Sequence, residues 1–143
     1  MRLVVLTPQA LVVDRDVVHV RAEDASGAFG VLDRHADLLT ALTVSVLVYR
    51  AVDPRDHFIA LRGGILTVSG RRRVDVLTRE AVASDDLEQL EREVLVRFRR
   101  AVADEEQARR GAGKLEGALL RRVADYAQTG RAATERGLQR WPR

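Results

Sequence analysis

The sequence predicts an α+β fold: an N-terminal antiparallel β-sandwich, or flattened barrel, over residues 1–83, followed by a C-terminal antiparallel two-helix hairpin with a short tail over 84–143. Three observations carry this. Apolar residues alternate in short runs up to about residue 83, turn-forming residues separate those runs at hairpin spacing, and after Ser84 the period changes to that of a helix.

In "DVVHVRAED", Val18, Val20 and Ala22 share one face while His19 and Arg21 share the other. In "TVSVLVYR", Val44, Val46 and Val48 alternate with Ser45, Leu47 and Tyr49, the pattern of a strand with one buried and one partly covered face. Further strands are expected at "HFIALR", "ILTVSG" and "RVDVLT". Turns are expected at "DASG" (24–27), "DPRD" (53–56), Gly63-Gly64, and Gly70 before three arginines. Many short strands at this spacing make a sandwich.

Ser84 or Asp85 is placed to cap a helix, with Glu88 three residues after Asp85. Leu87, Leu90, Val94, Phe98 and Ala101 then form one apolar stripe, braced by the i,i+4 pairs Glu88/Arg92 and Glu93/Arg97. "RRGAGK" (109–114) is expected to stop that helix through its two glycines, and Leu115, Leu119, Val123 and Tyr126 begin a second stripe. A connection this short predicts antiparallel packing. Gly130 and Gly137 weaken the second helix, and "LQRWPR" with Trp141 reads as a frayed tail.

At 143 residues the chain is long enough for one core plus an appendage. The absence of cysteine excludes disulfides and thiolate metal sites and fits a cytoplasmic setting. The N-terminus shows no small-residue cleavage pattern. No apolar run approaches the roughly 18 residues of a membrane span, so any membrane association is expected through a partner. Net charge is only +3, from 24 basic and 21 acidic residues. Arg71-Arg72-Arg73 is followed by Asp75, and aromatics make up 4% of the chain, which leaves few platforms for stacking bases. A solvated hairpin turn is the better reading of that triplet, and nucleic acid is not an expected partner.

The run "GAFGVLDRHADLLTAL" (27–42) sets Asp33, His35 and Asp37 at alternate positions, a spacing open to reading as metal ligands. Arg34 sits among them, and His19 and His57 lie in other strands, so a histidine that fixes a turn through backbone hydrogen bonds is favoured. "GAGKL" (111–115) is not a phosphate-binding loop, because Leu115 follows Lys114 and the glycines leave a helix rather than a strand. With no nucleophile elbow and no isolated carboxylate pair, no catalytic residue, cofactor or metal is assigned, and the chain reads as a non-enzyme. From residues alone, the alternative is a non-enzymatic β-sandwich regulatory or nucleic-acid-binding module.

Taken together, "GAFGVLDRHADLLTAL", "LRGGILTVSG", "VDVLTREAV" and the helical tail resemble the epsilon subunits of rotary F-type ATP synthases along the whole chain. "HADLLTAL" and "TREAV" look most like the alternate form that a second operon supplies in some bacteria. The resemblance implies a non-catalytic rotor subunit at the cytoplasmic face of the bacterial plasma membrane. It implies that Ser26, Gly27, Ala28 and Phe29 touch the membrane rotor ring and that His35 lies near the face packed on the gamma subunit. It implies further that the helical hairpin can rise along gamma to block ATP hydrolysis, with Arg121 and Arg122 meeting an acidic segment of the beta subunits. The chain departs from the pattern in two places. Many relatives have Pro-Gly where Asp33-Arg34 stand, and the Ile/Leu-Asp-x-x-Arg-Ala motif by which some bind ATP reads Leu87-Glu88-Gln89-Leu90-Glu91-Arg92, with glutamate in place of arginine. ATP binding is therefore not expected.

Overall fold

Alternating apolar runs become strands because extended backbone sends successive side chains to opposite faces. In the computed structural model, residues 1–138 are described, with side chains through residue 125 and at residue 127. The strands are β1 (Arg2–Leu6), β2 (Leu11–Asp16), β3 (His19–Asp24), β4 (Gly27–Leu32), β5 (Leu38–Arg50), β6 (Asp56–Ser69), β7 (Arg73–Leu77) and β8 (Ala81–Ser84). Their order is β2-β1-β7-β6-β5-β3-β4, with β8 also on β6. Pairing is antiparallel throughout except for β1 with β7.

The two long strands build both layers. Residues 65–69 of β6 pair with β7, while residues 58–61 of the same strand pair with β8, and β5 follows β6 across its whole length. The turn expected at Gly63-Gly64 is therefore a bend inside one strand. Both glycines have positive φ, 66° and 130°, and a Cβ on Gly64 would lie 2.2 Å from the Leu77 carbonyl oxygen. Only glycine lets β6 change direction there. Between the layers, Leu3, Val5, Leu66, Val74 and Val76 meet Val20, Val31, Leu47, Ile59 and Leu61, all fully buried. Val18, expected on that face, precedes β3 and is exposed.

Two compact units are present, Met1–Val102 and Ala103–Arg143. In the first, the chain leaves β8 through α1 (Leu87–Gln89), a π-helical turn (Leu90–Val94) and the start of α2 (Leu95–Leu138). Asp86, not Ser84 or Asp85, caps the helix: its carboxylate accepts the Gln89 N–H at 3.1 Å, while Ser84 Oγ accepts the Asp86 N–H. The cap is displaced because β8 keeps Ser84 in the sheet, paired with Phe58. The π-turn inserts one residue into the period, so Leu90, Leu95 and Phe98 are the buried residues and Val94 is only partly covered. These three pack on Ala60, Phe58, Val44, Val46 and Val82, so the Val44/Val46 face of β5 is the one covered by the helix, while Ser45, Leu47 and Tyr49 point into the sandwich core. The Glu88/Arg92 pair forms, whereas Arg97 turns to Glu80 at 3.4 Å.

The expected sandwich and C-terminal helical segment are present, but the break expected at 109–114 is absent: α2 runs through Gly111 and Gly113. Neither glycine takes a positive φ. Each costs about 1 kcal/mol of helix propensity relative to alanine, a penalty that good helix formers on both sides sustain. In the second unit Leu115, Leu119 and Val123 are 64%, 57% and 65% exposed. The side chains of Tyr126, Arg131 and Arg136, and all of Trp141, lie outside the described residues.

Phe98 is completely buried and anchors the helix start on the sheet. Phe98→Ala should lower unfolding stability by about 3–5 kcal/mol, measured by urea denaturation of the full chain. A loss below about 1 kcal/mol would show that this packing does not hold the segment.

Candidate functional site: the outer face and the β3–β4 turn

The outer face of β2-β1-β7-β6-β5 has two halves. One is charged: Arg2 holds Asp14 through two hydrogen bonds, Nε–Oδ1 at 2.7 Å and Nη2–Oδ2 at 2.9 Å, and Arg73 Nε donates to both oxygens of Asp75. Hydrogen bonding from Arg2 keeps the Asp14 carboxyl below its ordinary range. Arg73 is thereby committed to Asp75, and Arg71 and Arg72 lie in the exposed turn before it. The other half is apolar. The register places Leu11, Leu6, Leu77, Ile65 and Ala41 in one row across five strands. Leu11, Leu77 and Ile65 are 56%, 54% and 48% exposed, and Leu39, two residues along β5 from Ala41, is 72% exposed. Beside this row a cleft of about 600 Å³ is lined by Leu6, Thr7, Pro8, Ile65 and Leu77, with Arg62 and Arg79. The row is thus an exposed apolar strip bordered by ion pairs that are already satisfied within the sandwich.

His35 lies in the loop leading into this face. Its Nδ1 is 2.7 Å from the Ala36 carbonyl oxygen, and its backbone N–H donates to the Leu32 carbonyl. The neighbouring Arg34 has φ 65° and donates its N–H to the Arg71 carbonyl, while Asp33 faces the N-terminal ammonium at 3.8 Å. Thus Asp33 and His35 have separate partners, and the histidine fixes the turn. The left-handed Arg34 occupies the place where many relatives carry glycine.

Ser26, Gly27, Ala28 and Phe29 come together at the opposite end of β4, where Ala25 and Ser26 turn β3 into β4. Asp24 organises that turn: one carboxylate oxygen accepts Ser26 Oγ–H at 2.5 Å and Ser26 N–H at 2.9 Å, and the other accepts Thr40 Oγ–H at 2.8 Å. The Ser26 hydroxyl, then Thr40 and the backbone N–H groups, hold the Asp24 carboxyl below the usual carboxylate range. Ala28 is exposed, but Phe29 is half-buried and packs on the core. Phe29, one of the four residues the resemblance sets against the rotor ring, is turned inward by the Ala22↔Phe29 register. The apolar row was the feature missed, because Leu6, Leu11, Leu39, Ile65 and Leu77 belong to separate segments that only cross-strand register unites.

Arg121 and Arg122 are exposed neighbours on α2. Successive helical residues diverge by about 100°, so they point to different sides, and Arg121 folds back to within 3.8 Å of where a Cβ on Gly117 would lie. Glu91, where a nucleotide-binding relative has arginine, lines a separate hollow of about 280 Å³ with Arg21, Glu23 and Arg99.

The acid sensitivity of the turn has a definite sign. Folding depresses the Asp24 pKa below its ordinary 3.8, so the stabilisation is complete above that value and is lost as pH falls through the depressed one. Asp24→Asn should be less stable than wild type at about pH 6, with the difference shrinking towards about pH 3. Chemical denaturation across that range checks it, and a pH-independent difference would refute the assignment.

Residues 1–84 match the ATP synthase delta/epsilon chain β-sandwich domain family. The chain is 44% identical over 111 residues to ATP synthase epsilon chain 2 of Cereibacter sphaeroides, covering 77% of this chain and 74% of that one. It is 34% identical over 132 residues to ATP synthase epsilon chain 2 of Paraburkholderia xenovorans, covering 92% and 95%. The fold matches a chain of the Euglena gracilis mitochondrial ATP synthase with a TM-score of 0.57 at 20% identity, over 69% of this chain and 62% of that one. Among the described residues no helix is long and apolar enough to cross a membrane. The family match over residues 1–84, with relatives of 44% and 34% identity that the chain covers to 74% and 95%, shows that the chain belongs to the ATP synthase epsilon chains, non-catalytic subunits of the rotor stalk.

Proposed function

We propose that this epsilon chain couples the gamma subunit to the membrane rotor ring, with the apolar row Leu11-Leu6-Leu77-Ile65-Ala41 and the adjoining loop of His35 seated on gamma. The exposed row is the observation that carries the reading: Leu11, Leu77 and Ile65 stand exposed around a half-buried Leu6, and burying them against a partner is worth about 25 cal/mol per Å² removed from water. The Asp24-braced turn at Ser26, Gly27 and Ala28 meets the polar loops of the ring, with Phe29 supporting it from inside. In this reading the subunit sits peripherally at the cytoplasmic face of a bacterial plasma membrane, in the alternate form of the enzyme. Ile65→Glu with Leu77→Glu changes two exposed residues and should spare the fold. It should weaken capture of gamma by at least about tenfold, since charges must then be desolvated at an apolar contact. Undiminished capture in a pull-down against purified gamma would remove the row from the interface.

The C-terminal segment supplies the regulatory half of the proposal. Leu115, Leu119 and Val123 form an uncovered stripe with Arg122 beside it, so a partner with an apolar strip and acidic residues, as expected of gamma and beta, suits that face. Residues 1–102 form a compact unit without it, so removal of 114–143 leaves the sandwich in place. ATP hydrolysis by the assembled complex should rise on that deletion, and Arg121→Glu with Arg122→Glu should reproduce much of the rise. Hydrolysis unchanged by the deletion would exclude an inhibitory segment.

A further inference from the structure

His57, on β6, carries a carboxylate against each ring nitrogen. Nε2 lies 3.2 Å from Asp53 Oδ2 in the β5–β6 loop, and Nδ1 lies 3.5 Å from Asp85 Oδ1, just ahead of the capping residue Asp86. The imidazole stacks on Tyr49 of β5, with centroids 5.0 Å apart and planes 19° from parallel, and the side chain is 20% exposed. Arg55 and Asp56 line the same hollow. Asp56 is engaged by Arg50 at 2.7 Å, so Asp53 and Asp85 are the carboxylates that address the ring.

A neutral imidazole has one N–H and one lone pair. In either neutral tautomer, one of the two carboxylates therefore faces a lone pair and is repelled. An imidazolium carries an N–H at both nitrogens, so neither carboxylate faces a lone pair and both are attracted. The Tyr49 stack fixes the ring plane, so the ring cannot escape this choice by turning away. We propose that protonated His57 is a latch that ties the start of the helical segment, through Asp85, to the β5–β6 loop, through Asp53, and that deprotonation releases Asp85. Asp85 is the partner that leaves because it is 91% exposed and sits on the short bend between β8 and α1, whereas Asp53 shares the hairpin of His57 at i,i+4 spacing. Imidazole is the side chain that ordinarily changes charge between about pH 5 and 8, which sets the range over which the latch is to be tested. The latch lies wholly within the first unit and does not depend on what the subunit docks against.

Hydrogen–deuterium exchange of the full chain tests it, with rates divided by intrinsic exchange at each pH. Amides 86–92 should be about threefold more protected at about pH 5.5 than at about pH 8, the scale of an exposed ion pair. Asp85→Asn changes an exposed residue, and His57→Phe keeps an aromatic ring on Tyr49. Both should abolish the difference while the protection of β3 and β7 stays as in wild type. Equal protection of the wild type at the two pH values overturns the latch, and so does a difference that survives Asp85→Asn.

Discussion

The bend of β6 at Gly63-Gly64 is the constraint on which the rest of the sandwich depends. A strand that serves two layers must turn without losing its ladder, and Gly64 does so with its α-carbon pressed against the Leu77 carbonyl, where a Cβ would be only 2.2 Å away. That close approach lets β7 pair with one half of β6 while β8 takes the other. It also places Thr78 and Glu80 at the crossing. Thr78 is buried and donates its backbone N–H to the Leu6 carbonyl, and Glu80 reaches Arg62 at 3.7 Å and Arg97 at 3.4 Å. The quoted motifs "LRGGILTVSG" and "VDVLTREAV" are thus two sides of one joint.

Local pattern made the layers legible and left the joints obscure. Val20 and Ala22 are buried together, and so are Leu47 and Tyr49, each pair on one face as alternation predicted, because the two-residue period of a strand is dictated by backbone geometry alone. Gly63-Gly64 was read as a turn because two adjacent glycines allow a turn or a bend equally, and only pairing with β5 on both sides decides. The cap moved to Asp86 for a similar reason: Ser84 has a better use in the β8–β6 ladder. Leu95 was passed over for Val94 because a period of 3.6 cannot foresee a π-turn, which arises where the sheet below offers a seat one residue later.

Only part of the proposed docking surface is visible in the sequence. His35 and the 26–29 turn stood out because unusual residues cluster there in sequence, but the apolar row is invisible until register assembles it. Its boundary is electrostatic. Arg2 neutralises Asp14 across the β1–β2 pair and Arg73 neutralises Asp75 within β7, so that half of the face has little to offer an incoming charge. A partner that follows the apolar row gains area without desolvating an unpaired ion, which is the condition for association to be favourable at an otherwise polar surface.

The same sequence pattern had two outcomes in the helical segment. Leu90, Leu95 and Phe98 found cover because Ala60 and Phe58 on β6 and Val44 and Val46 on β5 present an apolar floor within the same unit. Leu115, Leu119 and Val123 form a second stripe at steps of four and remain more than half exposed. Amphipathic periodicity therefore reports that a face needs a partner, and it cannot report whether that partner is the same chain. Gly111 and Gly113 precede the uncovered stripe and Gly117 lies within it, each weakening the helix by about 1 kcal/mol relative to alanine. A helix weakened there and apolar beyond has two incentives to change: relief from glycines held in helical backbone, and burial of three aliphatic side chains. Both are a few kcal/mol in size, small enough for another subunit to supply the difference, which is what the proposed regulatory role requires.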